Sequence, residues 1–128
     1  MTSPKQPDAK TYGALFSRGI EIVWPQYKIL HISGTASIDE SGRSVYTDNP
    51  ELQIKNTLNN ILLLLNEYNA SMDDVVHACA FFKRQDLEPA FDKILKQNNW
   101  HNIPCLRLCG DICRDDLFFE MDCIAVVQ

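Results

Sequence analysis

The sequence predicts an α+β fold, a mixed β-sheet carrying two helices on one face. Two stretches have apolar residues at helical spacing, and several short runs are rich in β-branched and aromatic residues. The two kinds alternate along the chain as β-β-(β)-α-β-α-β-β, where the bracketed strand is the weakest.

Residues 1–12, MTSPKQPDAKTY, are polar and hold two prolines. They read as a loose tail, leaving 13–128 as a single domain. Phe16 to Val23 and Lys28 to Ser33 read as strands, separated by a turn at Trp24-Pro25-Gln26. Ser33-Gly34-Thr35-Ala36 ends the second strand, and Asp39 to Gly42 makes another turn. Asn49-Pro50 places a capping side chain and a first-turn proline at a helix start. Ile54, Leu58, Ile61, Leu62 and Leu65 then form one apolar face to about Tyr68. After a short turn at Ser71 to Asp74, VVHACAFF (Val75 to Phe82) reads as a central strand. Asp86 is expected to cap a second helix from Leu87 to about Asn98, burying Ala90, Phe91, Ile94 and Leu95. Strands near Leu106 to Leu108 and from Leu117 to Val127 complete the sheet.

The last strand is the most informative segment. Glu120 and Asp122 stand two residues apart among Phe118, Phe119, Met121, Cys123 and Ile124. Alternate strand residues share a face, so both carboxylates emerge together. Burying them unpaired costs several kcal/mol, which points to a polar pocket or a wet interface. The face opposite the helices is too apolar for water at residues such as Phe118 and Ile124, so an oligomer is expected.

Composition narrows the function classes. The 128-residue chain is 45% hydrophobic and 23% charged, with a net charge of −5, the profile of a globular protein. That acidic balance argues against nucleic-acid binding, which needs a basic surface. The longest apolar run, Ile61 to Leu65, is too short to cross a membrane. The N-terminus lacks a signal-peptide core, so a cytoplasmic location is expected. Five cysteines fit free thiols in a reducing compartment. Cys105, Cys109 and Cys113 are spaced like a metal run, but strand residues four apart lie roughly 13 Å from each other. That is too far for one zinc, and no metal site is expected.

Several motifs, taken together, resemble the YjgF/RidA family: Ile32-Ser33-Gly34; Gln53 followed by Leu58-Asn59 or Asn60-Ile61; Asp73-Asp74-Val75-Val76; and the ending from Asp116 to Ala125. The resemblance implies a chorismate-mutase-like fold, a homotrimer and three clefts between neighbouring subunits. It further implies hydrolysis of reactive enamines and imines to 2-keto acids and ammonia, with no cofactor. In such enzymes an arginine on the penultimate strand grips the substrate carboxylate and a glutamate on the last strand positions water. A tyrosine and a serine from the N-terminal strands line the cleft. Glu120 takes the glutamate position and Ser33 the serine position. Aligned without gaps from Glu120, the arginine position falls on Cys105, with Arg107 two residues on and on the same face of the strand. Phe16 stands at the tyrosine position. The stretch Gly110 to Leu117 followed by Glu120 is also similar to the C-terminal half of the chorismatases, which carry an additional N-terminal half.

Each candidate has a plainer reading beside the functional one. Glu120 is a water-positioning acid or base, or an interface residue; Asp122 is its structural partner. Arg107 is a bidentate carboxylate anchor, or an interface ion-pair residue whose partner is a carboxylate such as Glu120. Arg114 is the substitute anchor. Cys105 and Cys109 are thiol ligands of a substrate or small core residues, and no base is evident to activate them. His31 and His77 read as satisfied core histidines, and Ser33 as a ligand donor or a turn residue. Three functions follow: an enamine/imine deaminase; a trimer binding a small carboxylate, or hydrolysing a chorismate-like ligand; and an RNA-cleaving protein, which the acidic charge disfavours.

Overall fold

The computed structural model describes residues 19–38, 41, 43–110, 112 and 115–128. Its elements are β1 (Gly19–Val23), β2 (Lys28–Ala36), α1 (Pro50–Glu67), β3 (Val75–Phe82), α2 (Glu88–Gln97), β4 (Cys105–Cys109) and β5 (Phe119–Val127). The weak third strand of the expected order is reduced to one bridge between Ile38 and Ser44. Asp86 does not cap α2. It lies in a 3-10 turn, Gln85–Leu87, that runs straight into the helix, and its carboxylate pairs with Arg84 at 3.2 Å instead. The tail at 1–12 and the beginning of the first expected strand lie outside the described residues.

The sheet order is β1-β2-β5-β3-β4, with only β3 and β4 parallel. β2 and β3 both run antiparallel to β5, so they run parallel to each other with β5 inserted between them. Hence α1 and α2 are both crossovers between parallel-running strands, and both step in the same direction across the sheet. A common crossover hand then puts both helices on one face, as expected.

Between helices and sheet lies the main core, which includes Leu30, Ile32, Ile54, Leu58, Ile61, Leu65, Phe91 and Ile94. Leu62, expected on the inward stripe of α1, is only partly buried, while Leu64 is fully buried. β5 alternates cleanly. Phe119, Met121, Cys123 and Ala125 are buried, whereas Glu120, Asp122, Ile124 and Val126 stand half-buried on the other face. Three rings close the core under α2: Phe82, Phe91 and Phe119 have centroids 5.2–5.4 Å apart, a range in which aromatic pairs attract beyond their buried area.

The N-terminal half of α1 also presents buried polar residues. Asn49 caps the helix, accepting from the Leu52 N–H at 3.1 Å, with Pro50 in the first turn. Gln53, wholly buried, donates to the Val45 and Asp116 carbonyls (3.2 and 2.9 Å) and accepts from the Phe118 N–H at 2.8 Å. Two turns on, Asn60 donates to the Ala36 carbonyl at 3.0 Å. These amides fasten the ends of β2 and β5 to α1.

No helix among the described residues is long and apolar enough to cross a membrane. Replacing Gln53 with Ala takes the side-chain partner from two part-buried backbone groups, the Asp116 carbonyl and the Phe118 N–H, while the Val45 carbonyl keeps the Ser37 hydroxyl. It should cost about 2–4 kcal/mol at ~1–3 kcal/mol per group left unpaired. Urea unfolding of Gln53→Ala against the parent measures this; a loss below about 0.5 kcal/mol would show that the clamp carries little stability.

Candidate functional site

The sheet displays its candidate residues in two groups, on opposite faces. The acidic group belongs to the face turned away from the helices. Glu120 lies across from Ala36 on β2 and Phe81 on β3, and Asp122 lies across from Cys79. The pairing of β2 with β5 slips between Ile32 and Thr35, setting Ser33 and Gly34 opposite Asp122. Gly34 has φ of 52°, the left-handed region where a glycine bulge residue is favoured. The Ile-Ser-Gly motif therefore marks a bulge beside the acid pair, and the structure brings Ser33, Glu120 and Asp122 to neighbouring positions.

A pocket of about 220 Å³ opens on this face, lined by His31, His77, Cys79, Asp122, Cys123 and Ile124. His31 and His77 are exposed, which corrects their reading as satisfied core histidines. Both pair across Ile124, an outward residue of β5, so the alternation that buries Leu30 and Ile32 turns His31 out. Asp122 Oδ1 is shielded from solvent and has no hydrogen-bond partner among the described residues. Burial pushes the Asp122 carboxyl above its usual range, opposed by its own backbone N–H and by the two histidines.

The basic group sits on the sheet's edge strand, β4. Arg107 lies across from Ala80, a core residue, so its side chain rises on the helix face. Its Nη2 meets Asp92 Oδ1 at 2.6 Å, and its guanidinium carbon stands 5.1 Å from the Phe91 ring centre. The Asp92 hydrogen bond holds this cation more firmly protonated than usual. β3 and the thickness of the sheet separate Arg107 from Glu120 of the same chain, so the ion pair Arg107 makes is with Asp92. Beside it lies a pocket of about 200 Å³, lined by Phe82, Gln85, Glu88, Arg107, Leu108 and Cys109.

Cys105 and Cys109 share the Arg107 face, as the alternation predicts. Cys105 is half-buried against the core and its thiol is pushed up by desolvation, partly offset by Arg107. Cys109 is exposed, with its sulfur 3.8 Å from the Lys83 carbonyl. Phe16, Arg114 and Cys113 lie outside the described residues. Sequence reasoning missed Asp92: the helical period places it beside the inward Phe91, but nothing local ties it to a strand arginine. It named Gln53 only as a motif residue, without its role as a clamp.

A mixed sheet with two same-side crossovers, an acid pair beside a bulge and an arginine paired with Asp92 on the edge strand define an α+β protein with candidate residues on both faces. Residues 14–127 match the model of the endoribonuclease L-PSP family, and the chain belongs to that family, which is also known as YjgF/RidA. Solved structures repeat the fold. The YjgF gene product of Escherichia coli is 14% identical, with a TM-score of 0.79 over 99% of this chain and 97% of that one. Yeast Mmf1 is 18% identical, with a TM-score of 0.81 over 100% of this chain and 98% of that one. A chorismatase reaches a TM-score of 0.84 at 21% identity over 98% of this chain, yet this chain spans only 42% of that longer protein. No curated protein sequence matches the chain.

The thiols are graded by burial. Desolvation pushes Cys123 up to about 12, whereas Cys109 is open to solvent. Alkylation of the native protein at pH 8, mapped by mass spectrometry, should label Cys109 first and Cys123 last among Cys79, Cys105, Cys109 and Cys123. Equal labelling of Cys109 and Cys123 would contradict this placement.

Proposed function

We propose that the chain is an enamine/imine deaminase that converts small 2-imino or enamine acids to 2-keto acids and ammonia, working as a homotrimer without a cofactor. The observation that carries this reading is the held guanidinium of Arg107. Asp92 and the Phe91 ring fix its plane beside a pocket at the sheet edge. One nitrogen serves Asp92, and a guanidinium has five N–H donors, which leaves a fork for a substrate carboxylate.

The acid comes from a neighbouring subunit, since Glu120 and Arg107 of one chain face opposite ways. Packing β4 of one copy along the open face of the next completes a cleft with Arg107 on one wall and Glu120 on the other, beside Ser33. Cys105 and Cys109, on the Arg107 face of β4, line the cleft. There Glu120 takes a proton as water oxygen bonds to the imine carbon and the C=N electron pair moves to nitrogen. Glu120 then returns the proton to that nitrogen, giving a carbinolamine. A second transfer through Glu120 carries the hydroxyl proton to the amino nitrogen, and the C–N bond breaks as the C=O bond forms, releasing ammonia and the keto acid.

The free thiols of Cys79, Cys105, Cys109 and Cys123 fit a reducing, cytoplasmic setting. The acidic net charge disfavours RNA, and the free donors of Arg107 support a small carboxylate as partner. The second reading is a trimer that binds a small carboxylate, or hydrolyses a chorismate-like one; the same free fork of Arg107 beside the edge pocket supports binding without turnover.

The test generates 2-imino acids with an amino-acid oxidase and follows their loss by semicarbazide trapping. The parent should accelerate loss, and Glu120→Gln should abolish the acceleration. Arg107→Ala should lower kcat/KM by roughly 10- to 100-fold, the worth of a charged hydrogen bond. No acceleration across short and long side chains would overturn the deaminase and leave the carboxylate binder.

A further inference from the structure

The open face of the sheet carries a balanced set of charges in an apolar field. Its rim includes Ile20 and Ile22 of β1 and Leu106 and Leu108 of β4, all between 44% and 56% exposed. Near its centre, β2 contributes His31 and β3 contributes His77, one on each side of Ile124. β5 contributes Asp122, one outward position along, and Glu120 beyond it; Cys79 of β3 lies across from Asp122. The other charged residues of these strands, Glu21, Lys28 and Arg107, belong to the helix face, where Lys28 pairs with Glu21 and Arg107 with Asp92.

The titratable side chains that the five strands place on the open face are thus two carboxylic acids, two imidazoles and one thiol. With both imidazoles neutral the face carries two negative charges; with both protonated it carries none, and acids and bases are matched in number. In the proposed cleft the neighbour's Arg107 answers Glu120, so with the imidazoles neutral it is Asp122 whose charge is left unmatched on the covered face, and with them protonated it is matched.

We propose that His31, His77 and Asp122 form a proton-dependent latch on this face, and that its occupant is a second copy of this chain, so that assembly takes up protons and tightens as pH falls through the histidine range. The inference rests on the proposed oligomeric cleft, which it supplies with a regulator.

Geometry and energetics agree on the sign. Asp122 Oδ1 is already shielded and unpartnered among the described residues, so covering the face removes the water that remains near it. A carboxylate in that position needs a cationic hydrogen-bond donor or a proton, and the two imidazoles beside Ile124 line the same pocket as Asp122. Burial already pushes the Asp122 carboxyl up. A group whose proton affinity rises on closure favours the closed state at low pH, and that contribution is lost as pH rises. Histidine changes charge between pH 5 and 8, which fixes the window. The cleft built from Arg107 and Glu120 of different copies exists only while the copies are associated, so the latch couples the site to pH.

Sedimentation velocity of the full chain at several concentrations and at pH 6, 7 and 8 tests the proposal. The dissociation constant should rise on the order of tenfold or more between pH 6 and pH 8, the effect of one or more linked protons. Asp122→Asn, which keeps shape and removes charge, should restore tight association at pH 8. The double variant His31→Gln, His77→Gln should flatten the profile and hold it at the weak, pH 8 level. Should either variant misfold by circular dichroism, the parent's proton uptake on association, from calorimetric dilution in two buffers of different ionisation enthalpy, decides alone. An oligomer whose stability ignores pH, or weakens on acidification, overturns the latch and leaves the assembly intact. A monomer at every pH and concentration overturns both.

Discussion

The placement of the acid pair depends on one side chain, the amide of Gln53. Its nitrogen and oxygen reach the Asp116 carbonyl and the Phe118 N–H on either side of Leu117, immediately before β5 begins. Val45, on the separate connection that leads into α1, is held by the same nitrogen. Strand register has a period of two, so a slip by one residue at the start of β5 exchanges its faces. Phe119 and Met121 would move out and Glu120 and Asp122 would move against the three-ring core. A buried amide with both ends engaged resists that slip more firmly than apolar contact, because moving it by one residue strands several partners at once. The hydrogen bond is therefore a positioning device for an acid pair that lies on the far side of the sheet from it.

The sheet itself separates function from folding. One face is committed to the helices and buries the large apolar residues of β2, β3 and β5. The other retains every outward residue of β5, two histidines and exposed isoleucines and leucines. Arg107 is the exception, a cation placed on the helix face but at its margin, where β4 is the last strand. An edge strand allows a long side chain to reach solvent over the end of the core, whereas the same residue on β5 would be sealed in. That is why the Arg107 guanidinium and the Glu120 carboxylate of one sheet meet only if a second copy supplies one of them.

Much of this was legible in the sequence. Helical spacing located α1 and α2, β-branched runs located β3 and β5, and the pleat foretold that Glu120 and Asp122 share a face. The alternation also put Cys105, Arg107 and Cys109 together. What escaped was set by strand order. His31 and His77 sit in apolar runs and read as core residues, and only their common pairing with Ile124 turns both outward. Phe118, expected as a residue of the last strand, precedes β5 instead and packs partly on the core, with the Arg84 guanidinium carbon 5.4 Å from its centre. Asp92 escaped because an ion pair between a helix and a strand 15 residues later leaves no local pattern.

The Arg107–Asp92 pair does more for orientation than for stability. Asp92 is largely exposed and Arg107 about a third so, and pairs of that kind contribute on the order of 0–1 kcal/mol. The Phe91 ring beneath the guanidinium adds a cation–π contact of similar size. Neither is needed to hold α2 down, since Phe91, Ile94 and Leu95 already bury its inner face. What the two contacts remove is rotamer freedom in a side chain that otherwise has about 2 kcal/mol of it to lose. A carboxylate arriving at the remaining donors meets a plane already fixed, and the ordering cost has been met in folding. On the proposed reading, a surface ion pair too weak to matter for the fold is in this way sufficient to prepare an anchor.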